Sequence, residues 1–532
     1  MLQRRGEMTG SGSDGGLGGL GGLGDGAPSK QLLGTFMGVF LPCICTIFGV
    51  VVYLRLGFLV GQAGVLGALL LLGAAFPIAF LPILSLSALV SNGQVHGGGL
   101  YGSLRKSIGP DLAAVIGIMF VAAYTVGIAN YAIGFAHALV NEAGISSKSA
   151  VNVFPWNAPG SWVETLVASL ATFAAAIICS WGVIVGPRAL LFVFALIVIS
   201  LGLSMVSCLV STTDPTSGHT AFSINTLRNN TAWDLTPFGP YATNTPWLMF
   251  EMIFPGFTGV IAGANLSGDL RTPRESIVKG TLLALLFALA TYLFVVFVLG
   301  STVERPTLKT NMLIIDTVVS GATGLPIVFV GICATTLSSV LSYMMGAPRV
   351  LQAIAKDNIF PILAPFGKGW GASQEPVRAI ALTWAVSQLF ILIGDLNLLL
   401  PVITGSFLTV FCTVNITCFI LELSPATFRP HFQLYSRWSA LLGFILSLGA
   451  MFLTTISAVV AALLGLCLAL ATWRSRSKLA TVLRGQGKVL GVVGVSSVSG
   501  GASLATEPFL SNATRGDGYP DALSRGGGSG GR

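Results

Sequence analysis

Two apolar stretches of this chain break near their own centres, and each break carries polar groups where an apolar helix would have none. The first is Leu41-Pro42-Cys43-Ile44-Cys45-Thr46-Ile47-Phe48-Gly49-Val50-Val51, and the second is Phe254-Pro255-Gly256-Phe257-Thr258-Gly259-Val260-Ile261-Ala262-Gly263-Ala264-Asn265. Proline has no amide proton to donate and glycine tolerates unwinding, so both stretches are expected to open and leave backbone groups without helical partners. In a membrane interior, bare backbone is tolerated only where it lines a cavity or is covered by protein. Exposed carbonyls and threonine hydroxyls suit a dehydrated cation, and the amides that start a helix suit an anion. Gly/Pro-interrupted segments at corresponding places of two halves point to a secondary transporter of the inverted-repeat kind.

Other chemistries find little support. The eight cysteines are spread through apolar runs, and Cys43 and Cys45 have no second pair or histidine beside them, so neither a zinc site nor a disulfide framework is indicated. The four histidines are scattered, with no triad, metalloprotease or phosphate-loop pattern. No enzyme is predicted, and no cofactor. An acid or base deep in a span is the usual mark of a proton relay. Arg55, Glu251, Asp269, Asp395 and Glu422 all fall near expected span ends, where ionised groups are expected to reach water.

The elements that must carry the two breaks follow from composition. The chain is 53% hydrophobic and only 9% charged, with a mean hydropathy of +0.82, far from the roughly 25% charged of a soluble domain. Runs long enough to cross a core of about 30 Å fall near 35–60, 64–91, 110–141, 161–182, 187–209, 246–268, 278–301, 323–349, 377–394, 397–421, 437–455 and 456–473. The expected fold is therefore an all-α polytopic membrane protein of about twelve transmembrane helices. With both termini cytoplasmic, fifteen Lys and Arg residues lie on the inner links and only five (Arg55, Lys148, Arg228, Arg305, Lys309) on the outer ones. That is the bias of the positive-inside rule, so the net charge of +8 reads as topology, with no basic face for nucleic acid.

Residues 1–34 are Gly-rich and read as a disordered cytoplasmic arm, 35–473 as the transmembrane transporter domain, and 474–532 as a low-complexity cytoplasmic tail that holds no soluble C-terminal domain. Asn229 opens an N-glycosylation sequon, Asn229-Asn230-Thr231, on a link placed outside. Gly443, Ser447 and Gly449 give the eleventh span a small-residue surface for dimerisation.

From about Thr35 to Trp473 the chain resembles the cation-chloride cotransporters, a branch of the amino acid-polyamine-organocation superfamily. The resemblance rests on Ile47-Phe48-Gly49-Val50-Val51 with Leu54-Arg55-Leu56, Val60-Gly61-Gln62-Ala63-Gly64, Ser91-Asn92-Gly93, His96-Gly97-Gly98-Gly99-Leu100-Tyr101 and Ser107-Ile108-Gly109-Pro110. It continues in the second break through Asp269-Leu270, in Thr336-Leu337-Ser338-Ser339, and in Ala347-Pro348-Arg349 through Lys356-Asp357-Asn358. The fold it implies is a 5+5 inverted repeat with helices 1 and 6 broken.

The resemblance also implies a ligand set. Potassium would take the carbonyls of Thr46, Ile47 and Pro255 and the hydroxyls of Tyr131 and Thr258, although a lone Thr or Tyr in a membrane helix ordinarily bonds its own backbone or packs. Sodium, in the sodium-coupled branch, would take the hydroxyls of Ser338 and Ser339 and the carbonyls of Cys45, Phe48 and Thr335. Phe48 fits the sodium-independent branch better, and Ser-Ser also permits close helix packing. Chloride would lie over the amides of Gly49, Val50 and Val51, with a second position over Gly259, Val260 and Ile261. Phe411 stands where the family completes that second position with a tyrosine hydroxyl.

The function implied is electroneutral symport of chloride with potassium, with or without sodium, by alternating access in a multi-pass protein of the plasma membrane or an endomembrane. The partners implied are inorganic ions, the lipid bilayer, and a second copy or a related cotransporter. Two other classes stay open. One is an amino-acid or amine permease of the same superfamily, against which the bulky Thr46-Ile47-Phe48 counts. The other is a non-transporting partner of other cotransporters.

Overall fold

The computed structural model describes residues 33–91, 99–143, 162–182, 187–211, 213, 218–235, 245–263, 270–323, 326–371, 374–394, 396–423 and 435–454. All belong to the first of the two units into which the chain divides, Met1–Thr472 and Trp473–Arg532. The expectations for residues 1–32, for the span at 456–473 and for the tail lie outside them.

Among the described residues the structure is helical, without a strand. A π-helical turn, Phe36–Phe40, leads into α1 (Leu41–Phe48), and a second, Val51–Arg55, leads into α2 (Leu56–Ser91). Then come α3 (Gly99–Ile108), α4 (Pro110–Glu142), α5 (Trp162–Ser180), α6 (Pro187–Val210) and the short α7 (Ile224–Asn229). The second break separates α8 (Pro246–Ile253) from α9 (Pro255–Thr258), and α10 (Pro273–Thr302), α11 (Arg305–Thr310) and α12 (Ile314–Thr323) follow. The last four are α13 (Ile327–Lys356), α14 (Val377–Ile393), α15 (Leu396–Glu422) and α16 (Arg437–Leu453).

Seven helices among the described residues are long and apolar enough to cross a membrane, and α14 and α16 are apolar but shorter. The first of the seven runs from Phe36 to Val90 over 55 residues, roughly 80 Å at 1.5 Å per residue and more than two crossings of a core of about 30 Å. It bends at Gly64, whose φ of 69° and ψ of 171° lie outside the helical region. A side chain there would also collide with the Ala232 carbonyl, so glycine serves both the turn and the close approach.

Burial sorts the helices into an inner and an outer set. The most apolar window of α4 is 78% buried, whereas those of α5 and α6 are 28% buried. A helix apolar on every side belongs inside, and α4 packs against α13, α15 and α5. Exposed apolar residues on α5 (Leu166, Leu170, Phe173), α6 (Phe192, Ile199, Val206) and α10 (Leu283, Leu286, Phe294) present greasy surface outward. Water would penalise so much of it and lipid does not, so this is an integral membrane protein.

Two sequence expectations need correction. Arg55 and Glu251 do not reach water at span ends. They are 2% and 0% exposed, because α8 packs against the Val51–Arg55 turn and against α2 and α15. Nor are Gly443 and Ser447 offered to a second copy: a side chain at Gly443 would meet the Asn415 amide at 2.5 Å, and Ser447 is wholly buried. Both small residues let α16 approach α15 within one chain, and only Gly449 has open space beside it.

Polar clasps hold the helix ends. At the C-terminal end of α13, Asp357 accepts from the Tyr101 hydroxyl and pairs with the Arg105 guanidinium at 3.0 Å. At the other end, Arg305 donates to the carbonyls of Gly61 (3.0 Å), Asn229 (3.2 Å) and Ala232 (2.5 Å). Lys309 pairs with Asp234 beside it. Asn229 itself is exposed at the end of α7.

Asp316 on α12 gives the fold a pH signature. Burial, and then the Glu142 charge, push its carboxyl up to about 6, against the pull of the Phe329 amide at the start of α13. The folded state then binds the proton more tightly than the unfolded chain, so stability is greatest below about pH 4 for this group and falls as pH rises to about 6. Thermal midpoints of the detergent-solubilised protein should show that slope, and Asp316→Asn should flatten it. A slope unchanged in the variant would assign it to other groups.

Candidate ion-binding site between the two broken helices

The helix of the first break ends at Phe48. Gly49 follows with φ 26° and ψ −132°, and the chain re-enters helix at Val51. A side chain at Gly49 would collide with the Tyr131 ring. The last carbonyls of α1 therefore face the first amides of the next turn, and helix ends of this kind leave both without intrahelical partners. The second break turns at Phe254, resumes for one turn in α9, and tightens to 3-10 geometry over 259–263. The two breaks touch. A Cβ at Gly259 would lie 2.7 Å from the Ile47 nitrogen and 2.9 Å from the Thr46 carbonyl carbon, so backbone meets backbone with no side chain between.

Around this contact the structure gathers side chains from three further helices. From α4, the Tyr131 hydroxyl donates to the Thr46 carbonyl at 3.3 Å. From α13, the Ser339 hydroxyl reaches the Cys45 carbonyl at 3.2 Å and the Thr335 carbonyl at 2.8 Å, while Ser338 donates to Thr335 at 2.9 Å. Thr335, Ser339 and Cys45 of the first break thus share one spot, three of the residues implied for sodium, while Ser338 bonds only its own helix. The Phe48 ring packs against Phe287 and Tyr292.

The threonines of the breaks bond locally. Thr258 donates to the Pro255 carbonyl at 2.8 Å, and Thr46 to that of Pro42. Both are ordinary backbone bonds of a membrane threonine. A hydroxyl that donates keeps two lone pairs, so the Thr258 oxygen can face a cation without giving up this bond. All of these residues are buried.

Two tyrosines at this place escaped the sequence reading. Tyr292 of α10 donates to the Ile47 carbonyl and to the Gly256 carbonyl, each at 3.0 Å, so one hydroxyl proton serves a carbonyl from each break. Tyr343 of α13 faces the hydroxyls of Tyr131 and Thr258. A single tyrosine in an apolar run has no periodic signature. The available signal was the scarcity of the residue, nine in the chain, and its position near the middle of a long span.

The amides of Gly49, Val50 and Val51 start the second half of the first broken helix, where a helix N-terminus favours an anion. Near the other set, Val260 and Ile261 join Phe411, Ser87 and Thr281 around a cavity of about 10 Å³, room for about one water-sized sphere. The Ser87 and Thr281 hydroxyls donate to their own helix at 2.6 Å. Phe411 lies edge-on to Phe254 with ring centroids 6.0 Å apart. No donor from α15 replaces the missing tyrosine hydroxyl among the described contacts. Nor do the described residues contain a cluster of His, Cys, Asp and Glu able to hold a metal ion.

A family model described as amino acid permease matches residues 38–483, which spans both breaks. Within that family, curated relatives carry narrower names. Solute carrier family 12 member 9 of Xenopus laevis is 32% identical over 441 residues, covering 80% of this chain and 48% of the relative. The chain belongs to the cation-chloride cotransporter family. Solute carrier family 12 member 3 of Homo sapiens is 31% identical over 464 residues, covering 79% of this chain and 44% of that one. Vacuolar cation-chloride cotransporter 1 of Saccharomyces cerevisiae is 33% identical over 439 residues, with coverages of 80% and 38%. The chain thus spans about half, or less, of the length of the relatives it matches.

This family member depends on the Gly259 approach and on the Tyr292 bridge for the shape of the site. Gly259→Ala should cost roughly 1–3 kcal/mol of stability, because the atoms it meets are backbone and cannot swing away. Tyr292→Phe should cost on the order of 1 kcal/mol through loss of its donor. Thermal unfolding in detergent measures both, and a Gly259→Ala protein as stable as the parent would contradict the backbone contact.

Proposed function

We propose that the protein is a secondary active transporter that moves chloride together with potassium, with or without sodium, by electroneutral symport and alternating access. The observation that carries this reading is the convergence of neutral oxygens on two touching helix breaks. Carbonyls of Cys45, Thr46, Ile47 and Pro255 are met by the hydroxyls of Ser339, Tyr131, Tyr292 and Thr258 respectively, with helix-start amides at Gly49, Val50 and Val51 close by in sequence. Family membership supports it as well, since several relatives are named as cotransporters of cations with chloride. The reading places a dehydrated potassium at Thr46, Ile47, Tyr131, Pro255 and Thr258, and sodium at Cys45, Phe48, Thr335, Ser338 and Ser339. One chloride lies over Gly49 to Val51. A second, over Gly259, Val260 and Ile261, binds more loosely beside Phe411. On this reading twelve spans in a 5+5 inverted repeat carry the breaks, and a glycan sits on Asn229.

A second reading has its own support. The relatives named solute carrier family 12 member 9 carry no ion in their names, and a non-transporting partner of other cotransporters would keep the same architecture. Chloride-dependent rubidium uptake, with and without sodium, separates the two.

If the transporter reading holds, Thr258→Val and Tyr131→Phe should each raise the half-saturating rubidium concentration with surface expression intact, at about 1–3 kcal/mol per lost oxygen. Ser339→Gly should abolish any stimulation by sodium and leave the potassium-chloride flux. Rubidium kinetics unchanged in both of the first two variants would remove those residues from the site.

Phe411→Tyr should restore a donor to the second anion position and lower the half-saturating chloride concentration up to about tenfold. A change in maximal rate alone, with half-saturation unmoved, would make Phe411 an apolar gate.

A further inference from the structure

Tyr343 has a setting that packing does not explain. Its ring stacks on Tyr124 at 4.0 Å between centroids and meets Tyr131 edge-on at 5.2 Å. Tyr124, Gly127 and Tyr131 fall at i, i+3 and i+7 on α4 and so share one face. Gly127 leaves the space in which the ring sits, since a side chain there would collide with it. The residue is 1% exposed. Phenylalanine would fill the same slot and make the same ring contacts, yet the hydroxyl is present, faces the Tyr131 and Thr258 hydroxyls, and has no hydrogen-bond partner of normal geometry. A buried polar atom left unsatisfied is unusual and costs stability unless a ligand takes it up.

The position on α13 says which ligand. Thr335, Ser339 and Tyr343 follow at intervals of four, one stripe along the helix. Ser339 reaches the Cys45 carbonyl, and Tyr343 stands one turn further, about 6 Å along the axis, level with the oxygens of Thr258 and Tyr131. We propose that Tyr343 is a further ligand of a potassium-sized monovalent cation, its hydroxyl oxygen completing a neutral cage with Tyr131, Thr258 and the carbonyls of the first break. The inference rests on the cation-binding reading above and deepens it. No charged side chain takes part, so the extra oxygen replaces a water of hydration and sets affinity for the larger cation over sodium, which Ser338 and Ser339 serve.

The test is binding to the purified full chain, independent of flux. Thermal unfolding midpoints are titrated with potassium, rubidium and sodium chloride against choline chloride, in the parent, Tyr343→Phe and Gly127→Ala. The parent should be stabilised by potassium and rubidium, and Tyr343→Phe should need about tenfold more of either, with its sodium response unchanged. Its midpoint in choline should equal or exceed the parent's, because an unsatisfied hydroxyl has been removed. Gly127→Ala, which displaces the ring without deleting the hydroxyl, should weaken potassium in the same direction and keeps the question open to measurement if Tyr343→Phe does not fold. A potassium response identical in the parent and both variants overturns the role of Tyr343 and leaves the reading of the site standing. A lower midpoint for Tyr343→Phe in choline makes the hydroxyl structural and overturns it also. No potassium response in the parent overturns both.

Discussion

The approach of two backbones at Gly259 is the constraint on which the rest depends. Helices normally keep 8–10 Å between axes because side chains stand between them. Here one break rests directly on the other, with the Ile47 nitrogen 2.7 Å from where a Cβ would be. Only because that atom is missing can carbonyls from both breaks lie near one another, and only because both helices are interrupted are those carbonyls free to accept. Gly49, Pro255 and Gly256 supply the interruption, and Gly259 supplies the contact.

Carbonyls left over at a break would be costly in an apolar interior, and tyrosines manage that cost. One hydroxyl proton of Tyr292 covers a carbonyl from each break, and Tyr131 covers Thr46. These donors come from α10 and α4, helices continuous through the region, so the irregular pair is held by regular neighbours. A hydroxyl also has lone pairs, so the same group can donate to a carbonyl and still offer an oxygen. Carboxylates at those places would have fixed the site in one charge state. Neutral oxygens keep it uncharged.

The breaks were legible in the sequence because proline and glycine act locally, and their effect survives whatever packs around them. The helical class and the apolar spans were legible for a similar reason: seven described helices are long and apolar enough to cross a membrane, the first of them covering two of the expected runs, and two more are apolar but shorter. Arg55 and Glu251 were misplaced because position along a span reports depth and carries no information about lateral cover, which here comes from α8 packing on the Val51–Arg55 turn and from α2 and α15 packing on α8. Gly443 and Ser447 were assigned to the wrong partner because small residues invite a close neighbour without naming it. Ser339, Tyr131 and Cys45 entered through resemblance alone, and their meeting is a tertiary fact. Tyr292 and Tyr343 were not read at all, since their meaning lies in Gly256 and Gly127 opposite them.

The fork of Arg305 has a mechanical consequence. Its guanidinium is permanently charged and holds carbonyls of Gly61, Asn229 and Ala232, which belong to the first turns of α2, to the end of α7 and to the link that follows it. Bending α2 at Gly64 away from that link would pull the Gly61 carbonyl away from those of Asn229 and Ala232 and break up the set one cation holds together. The lower-energy course is for the start of α2, α7 and α11 to travel as one stiff cap, leaving the bending to Gly49.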